Sequence, residues 1–378
     1  MAIKRGSYRT GRERVERILD ASHELFISTG YRATSLRDIA AASGISHPAL
    51  LRHFSSKAEI LTALVARLDR DHDDWRSTDP ARPLPTAAET ARRNEAAPGW
   101  IPLFTALLGE ATSPEHPGHD LMRRRRVIGT RIAVQALGPL GGDPRAVKLA
   151  VHRLGAAWDG LQILSLYFPD RIDIPARIAA YENDLHTNGI PPAIPPTPLA
   201  STIPDVPSDP SPRARTVEAA ARLYAHHGYY GTSMQAVADQ AGLTKAALVH
   251  VAPTKRALLD LVVAELTAPA PTGTDLNSGL LALRNRPRWQ TAAEIVLICE
   301  ATVPSHPAHD HMAALLDHSL TLTTHHLETT TQLTGEAAAT TAQWLVALTL
   351  GALIASLYDP ADTDLEALLT GPLPPHTP

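Results

Sequence analysis

Cysteine is almost absent from this chain: its 378 residues include one, Cys299. A single thiol excludes an internal disulfide framework and suits a reducing compartment. Long apolar runs are missing too. No stretch reaches the roughly 20 apolar residues that a bilayer crossing needs. The greasiest one, Trp344 to Leu357, is interrupted by Thr349 and Gly351 and reads as a buried helix. The start, Met1-Ala2-Ile3-Lys4-Arg5, is polar and basic and lacks the apolar centre of a signal peptide. These absences lead us to expect a cytoplasmic protein with no membrane partner. Nor is there an excess of one charge. A net charge of −4 excludes uniform coating of nucleic acid but leaves room for a local basic face. Strand-forming runs are few and alanine-rich segments many, so the expected fold class is all-α. The length suits two to four domains.

What the chain does contain is the same block twice. Gly30-Tyr31-Arg32-Ala33-Thr34-Ser35-Leu36 returns as Gly228-Tyr229-Tyr230-Gly231-Thr232-Ser233-Met234, at a constant offset of 198 that runs ungapped to Leu61 and Leu259. About 10 of those 32 positions are identical, enough for a repeat signal. A later segment repeats as well: Glu110-Ala111-Thr112-Ser113-Pro114-Glu115-His116-Pro117 matches Glu300-Ala301-Thr302-Val303-Pro304-Ser305-His306-Pro307, and Leu166-Tyr167 matches Leu357-Tyr358. A whole unit of about 190 residues is therefore duplicated. Between the copies runs a Pro-rich stretch, extended and semi-rigid by composition. Its roughly 24 residues at about 3.1 Å each could reach some 75 Å.

Within each block the punctuation is that of a helix-turn-helix. In the first copy Val15, Ile18, Leu19, Ser22, Leu25 and Phe26 recur at helical spacing from about Arg12 to Ser28, and Gly30 stops that helix. Thr34 or Ser35 can cap the next, whose apolar face is Leu36, Ile39 and Ala40. Gly44 supplies a tight turn. Ser46 caps a third helix with Pro48 in its first turn, where a missing N–H costs nothing. A fourth starts near Ser56 and Lys57. A short helix, a glycine turn and a second short helix make the DNA-binding pattern.

These residues resemble the TetR family of bacterial transcriptional regulators. The similarity rests on the Gly30 to Ala40 block, Ser43-Gly44-Ile45-Ser46, Leu50-Leu51-Arg52-His53-Phe54-Ser55-Ser56-Lys57, and Trp158-Asp159-Gly160-Leu161-Gln162 followed by Pro169-Asp170. The resemblance implies homodimers of chains about half this size, palindromic operators, and release of DNA when a small molecule enters the regulatory domain. Here two units share one chain, so the implied architecture is a pseudo-dimer of two TetR-like units. Each has an amino-terminal helix-turn-helix domain (1–68, 213–267) and a helical regulatory domain (69–188, 268–378), joined by a linker at 189–212. The last two helices of each unit would pair across the pseudo-dimer, and further homodimerisation stays open.

The implied partner is a double-stranded DNA operator. In the first copy the candidate contacts are Ser46, His47, Pro48, Leu51, Arg52 and His53 on the recognition helix, with Thr34 and Lys57 on flanking phosphates and Arg5 and Arg9 on a basic arm. In the second, degenerate copy they are Thr232, Thr244, Lys245, His250 and Lys255. It has Val251-Ala252-Pro253 where the first has His53-Phe54-Ser55, so it should contribute less affinity and read a different half-site. Candidate contacts to a small-molecule effector are Trp100, Phe104, Met122, Trp158, Gln162, Tyr167, Cys299 and Trp344, for any one of which plain core packing is the commoner role. His306, His309 and His311 match no established zinc spacing, so neither metal nor cofactor is expected. Nucleophile motif, phosphate loop and paired carboxylates are all missing, so an enzyme is not expected. The rival reading is a small-molecule-binding or protein-interaction module that has lost operator binding.

Overall fold

The computed structural model describes residues 4–73, 85–193, 211–268, 282–283 and 285–370, with side chains from residue 11 onward and not at 71–73. Seventeen α-helices and no strand occur among them. Helices α1 (Lys4–Thr29), α2 (Leu36–Ala42), α3 (His47–Leu50) and α4 (Lys57–Asp73) make a first head. Helices α5 (Ala87–Ala96), α6 (Trp100–Glu110), α7 (His119–Leu137), α8 (Pro144–Tyr167) and α9 (Ile174–Asn188) make a first body. The second head is α10 (Pro212–Gly231), α11 (Met234–Ala241), α12 (Lys245–Val251) and α13 (Lys255–Leu266). The second body is α14 (Arg288–Glu300), α15 (His309–Thr330), α16 (Gly335–Tyr358) and α17 (Leu365–Leu369). Most of the linker, 194–210, lies outside the described residues.

The short head helices are set by their ends. Ser35 accepts the Asp38 N–H at 3.2 Å while the Asp38 carboxylate accepts the Ser35 N–H at 2.8 Å, a reciprocal cap that satisfies two orphan donors. Ser46 caps α3 by accepting the Ala49 N–H at 3.3 Å, and Thr244 does the same for α12 through Ala247 at 3.1 Å. Gly44 (φ +68°) and Gly242 (φ +64°) turn the chain between the two short helices in the left-handed region that favours glycine. Ile39 and Leu50 are fully buried, as are their equivalents Val237 and Leu248, so both heads have the same core frame.

The structure chooses between the two caps offered for α2 and moves the start of α1. The cap of α2 is Ser35 alone; the Thr34 hydroxyl instead donates to the Gly30 carbonyl at 2.8 Å. Helix α1 begins at Lys4, not near Arg12, so the basic residues expected on a leading arm stand on its first turns.

One continuous core runs through both units. Its centre is the crossing of α8 with α16, flanked by α6 against α14. The contacts obey a pseudo-two-fold. Gly160 lies on the backbone of Ala347, and Gly351 lies on the backbone of Ala156, so tightly that a Cβ at either glycine would collide with the opposite carbonyl. The Tyr167 hydroxyl donates to Ile298 O at 2.7 Å and that of Tyr358 to Leu108 O at 3.0 Å. Tyr167 stacks on His309 at 5.4 Å, and Tyr358 on His119 at 5.6 Å. Ion pairs also cross the seam, Lys148 with Asp362 and Arg171 with Asp317, but these side chains are about half exposed. Such pairs contribute about 0–1 kcal/mol each, whereas each fully buried Leu or Ile contributes about 1.5–3 kcal/mol. Apolar packing therefore dominates the junction. Helix α16 is long and apolar enough to cross a membrane by length and composition, yet most of that stretch is buried against the rest of the chain.

Candidate nucleic-acid interface

Each head presents its third helix and the residues bordering it outward, and in the first head Leu51, Arg52 and His53, expected on the helix, stand in the turn that follows α3. In the first, Ser46, Pro48, Leu51 and Arg52 are exposed, and His47 and His53 are half-buried. Leu50 and Phe54 point into the core. In the second, Thr244, Lys245, Ala246, Val249 and His250 are exposed over Leu248. Leu51 and Val249 occupy equivalent positions and are 43% and 42% exposed. A large aliphatic held in water at the same place on both heads is not explained by packing. The constant offset of the repeat already pairs Leu51 with Val249, and the structure exposes the two alike. The proline that ends the second copy's helix does no damage: α12 runs for seven residues and stops at Val251, ahead of Pro253.

The side chains expected on phosphate are turned inward. Thr34 and Thr232 are 3% and 4% exposed, each donating to the carbonyl of its stop glycine, Gly30 or Gly228, at 2.8 Å. Lys57 Nζ donates to the carbonyls of Tyr31 (2.5 Å), Arg32 (3.1 Å) and Thr34 (2.6 Å) and lies 4.4 Å from the centre of the Tyr31 ring. Burial lowers its pKa. Lys255 repeats the arrangement more loosely, with Tyr230 O at 3.2 Å and the Tyr229 ring at 4.6 Å. These two lysines tie down the loop after the first helix of each head. An ammonium whose three donors already have carbonyl partners has none left for a phosphate. Arg5 and Arg9 lie in α1, where side chains fall outside the described residues.

The effector candidates do not converge either. Tyr167, Cys299 and Trp344 belong to the junction between units: Cys299 faces Gly109, and Trp344 stacks on Tyr181 at 4.7 Å. Burial pushes the Cys299 thiol pKa well up, so the sulfur packs as a small apolar group. Trp100 and Phe104 stack on one another at 4.2 Å under the Arg125 guanidinium, and Met122 is buried. Trp158 and Gln162 are half-buried on α8. A cavity of about 540 Å³ opens elsewhere, lined by His23, Arg67, Leu68, Arg93, Ala96, Ala97 and Pro98, and none of the expected residues touches it. The histidines of the repeated turn brace its backbone. His116 Nδ1 accepts the Gly118 N–H at 3.0 Å and His119 Nδ1 donates to Ala111 O at 2.8 Å, with His306 and His309 doing the same in the second unit.

Where each head meets its body, a carboxylate holds the loop that the lysine ties. Glu110 Oε1 accepts the Tyr31 N–H at 3.0 Å and Oε2 accepts the Arg32 N–H at 3.2 Å. Glu300 Oε2 accepts the Tyr229 N–H at 2.8 Å. Sequence reading missed both, treating Gly30 only as a helix stop and Glu110 and Glu300 only as matching ends of a repeat. The signal available was that an acid and a glycine, far apart in each copy, are both retained in it.

A model of the bacterial regulatory proteins of the tetR family matches residues 18–64 and again 217–262. The chain carries the TetR-family domain twice. The two matches coincide with the two heads, α1 to α4 and α10 to α13. Among its relatives, the HTH-type transcriptional activator FasR of Mycolicibacterium smegmatis is 39% identical over 64 residues, 17% of this chain and 29% of that protein. The HTH-type transcriptional repressor Rv3405c of Mycobacterium tuberculosis is 43% identical over 68 residues, 18% of this chain and 36% of that protein. The HTH-type transcriptional regulator TtgR of Pseudomonas putida is 38% identical over 56 residues, 15% of this chain and 27% of that protein. The tandem TetR-type chain thus matches about a third of each relative's length.

Proposed function

We propose that this chain is a transcriptional regulator that binds double-stranded DNA as a single-chain pseudo-dimer, its two heads reading the unlike halves of an asymmetric operator. One observation supports this above others: two outward faces in the same register, each with a hydroxyl cap, an exposed aliphatic and a basic side chain, share one buried junction. In a helix-turn-helix those first residues of the third helix enter the major groove. Ser46, His47, Pro48, Leu51, Arg52 and His53 then serve one half-site, and Thr244, Lys245, Val249 and His250 the other. Leu51 and Val249 suit a thymine methyl, and Arg52 a guanine edge. Arg5 and Arg9 are assigned to the phosphate backbone. Repression relieved by a small-molecule effector is the regulatory mode the resemblance favours, and Trp100, Phe104, Met122, Trp158 and Gln162 stay its candidate contacts in the first body, outside the cavity lined by His23 and Arg67.

A mobility-shift titration on DNA upstream of the chain's own gene tests the reading. Arg52→Ala should weaken binding about tenfold or more, the loss of one base contact. Lys245→Ala should cost about threefold and lower the slope of log affinity against log salt by about 1. Equal losses would remove the inequality between the heads. A band that never shifts, even at low salt, would remove DNA binding and leave the ligand-binding or protein-interaction module.

A further inference from the structure

Glu110 and Glu300 are placed where their own helices do not want them. Each is the last residue of its helix, α6 or α14, and a carboxylate there opposes the partial negative charge of the helix end. Their side chains are 2% and 7% exposed, so water does not solvate them. Such a position needs another cause, and the head supplies it. The loop after Gly30 and Gly228 brings backbone N–H groups onto each carboxylate. Both glycines have positive φ, +86° and +66°, and neither leaves room for a side chain: a Cβ on Gly30 would lie 2.7 Å from Glu110 Oε1, and one on Gly228 would overlap the Glu300 carboxylate. So in each unit glycine is required twice over, for the turn and to admit the acid. Behind each carboxylate stands a histidine whose Nδ1 accepts a backbone N–H, which puts its ring proton on Nε2. That nitrogen faces Glu110 Oε2 at 3.4 Å in the first unit and Glu300 Oε2 at 3.8 Å in the second.

The two latches also differ at Arg32. Arg32 stands where the second copy has Tyr230. Its Nη1 reaches His227 Nδ1 of the other head at 3.3 Å, and its guanidinium feels both Glu110 and Glu300. Its Nε and Nη2 are buried and hold no hydrogen-bond partner among the described residues. Either carboxylate, on leaving its loop, would find spare donors there.

We propose that Glu110 and Glu300 are positioning residues that latch each reading head onto its body, and that Arg32 couples the two latches across the junction. The role in DNA recognition rests on the function proposed above; the latch itself does not, and its test needs no DNA. Hydrogen exchange followed by mass spectrometry on the full chain reads the segments 29–35 and 227–233 separately. Glu110→Ala should speed exchange in 29–35 about tenfold or more, as expected for losing hydrogen bonds to a charged group, with α8 and α16 unchanged. Glu110→Gln should speed it less than Glu110→Ala, because an amide keeps one acceptor and leaves one of the two loop N–H groups without its partner. Glu300→Ala should speed 227–233, and through Arg32 also 29–35, whereas Glu300→Gln should stay near wild type because one N–H needs one acceptor. Adding Arg32→Met to Glu300→Ala should return 29–35 to its wild-type rate. Wild-type exchange at 29–35 in both Glu110 variants, or an equal rise along the whole chain, would overturn the latch. An effect of Glu300→Ala confined to 227–233 would overturn the coupling.

Discussion

Gly351→Val alone should lower the unfolding midpoint by roughly 4 °C or more and broaden the transition, and Gly160→Val should do the same. At the α8/α16 crossing each glycine rests on the opposite backbone, Gly351 on Ala156 and Gly160 on Ala347. A carbonyl cannot turn aside as a side chain can. The helices would have to separate, loosening the burial that holds the units together. Overpacking a core that can adjust costs about 1–3 kcal/mol; a backbone clash at the centre should cost about 3 kcal/mol or more, and each kcal/mol moves the midpoint by roughly 1–2 °C in a chain of this length. Gly155→Ala is the internal control. It lies on the same helix, is exposed, and nothing lies within 4 Å of an added Cβ, so the substitution should be neutral or stabilise by up to about 1 kcal/mol. A calorimetric scan in which Gly351→Val melts with wild type would show that the units do not meet at this crossing.

Glu300 should make the protein less stable as the solution becomes more alkaline. Burial, and after it the nearby Glu110 charge, raise its pKa from 4.5 to about 8, while the Tyr229 N–H, Lys255 and Arg32 pull the other way. Facing it as well is His306, whose pKa burial lowers to about 4 and whose ring the Tyr229 and Tyr230 rings meet edge-on. A folded-state pKa above the unfolded value means the native chain holds its proton longer than the unfolded one. The associated stability is complete below about pH 4.5, declines as pH rises, and is gone above about pH 8. The span is of the order of a few kcal/mol. Glu300→Gln removes this group from titration. Its urea midpoint should therefore match wild type near pH 5 and exceed it near pH 9, other titrating groups cancelling in the difference. Parallel pH profiles for the two chains would refute the assignment.

How much of this could be read beforehand depends on the range of the interaction. Gly44, Ser46 and the apolar triplet Leu36, Ile39, Leu50 act within a few residues of themselves, so their helix, turn and cap follow from local chemistry. The pairing helices were legible because Trp344 to Leu357 is apolar around its whole circumference, which only burial on several sides explains. Lys57 misled because a lysine at a helix start suits phosphate, and nothing in its neighbourhood announces three carbonyls from 23 to 26 residues earlier. Tyr167, Cys299 and Trp344 misled because an apolar pocket and an apolar junction are lined by the same residue types. Glu110 was invisible because its partners lie 78 and 79 positions away.

Cys299 opposite Gly109 has an evolutionary consequence. In a symmetric homodimer every substitution near the axis arrives twice, so a residue on the axis must fit a copy of itself. Two thiols at this spot would overlap and two glycines would leave a void. Joining both protomers in one reading frame lifts that demand. One side enlarges while the other shrinks, and Arg32 opposite Tyr230 could arise by the same freedom. Fusion thereby let two once-identical partners diverge without parting.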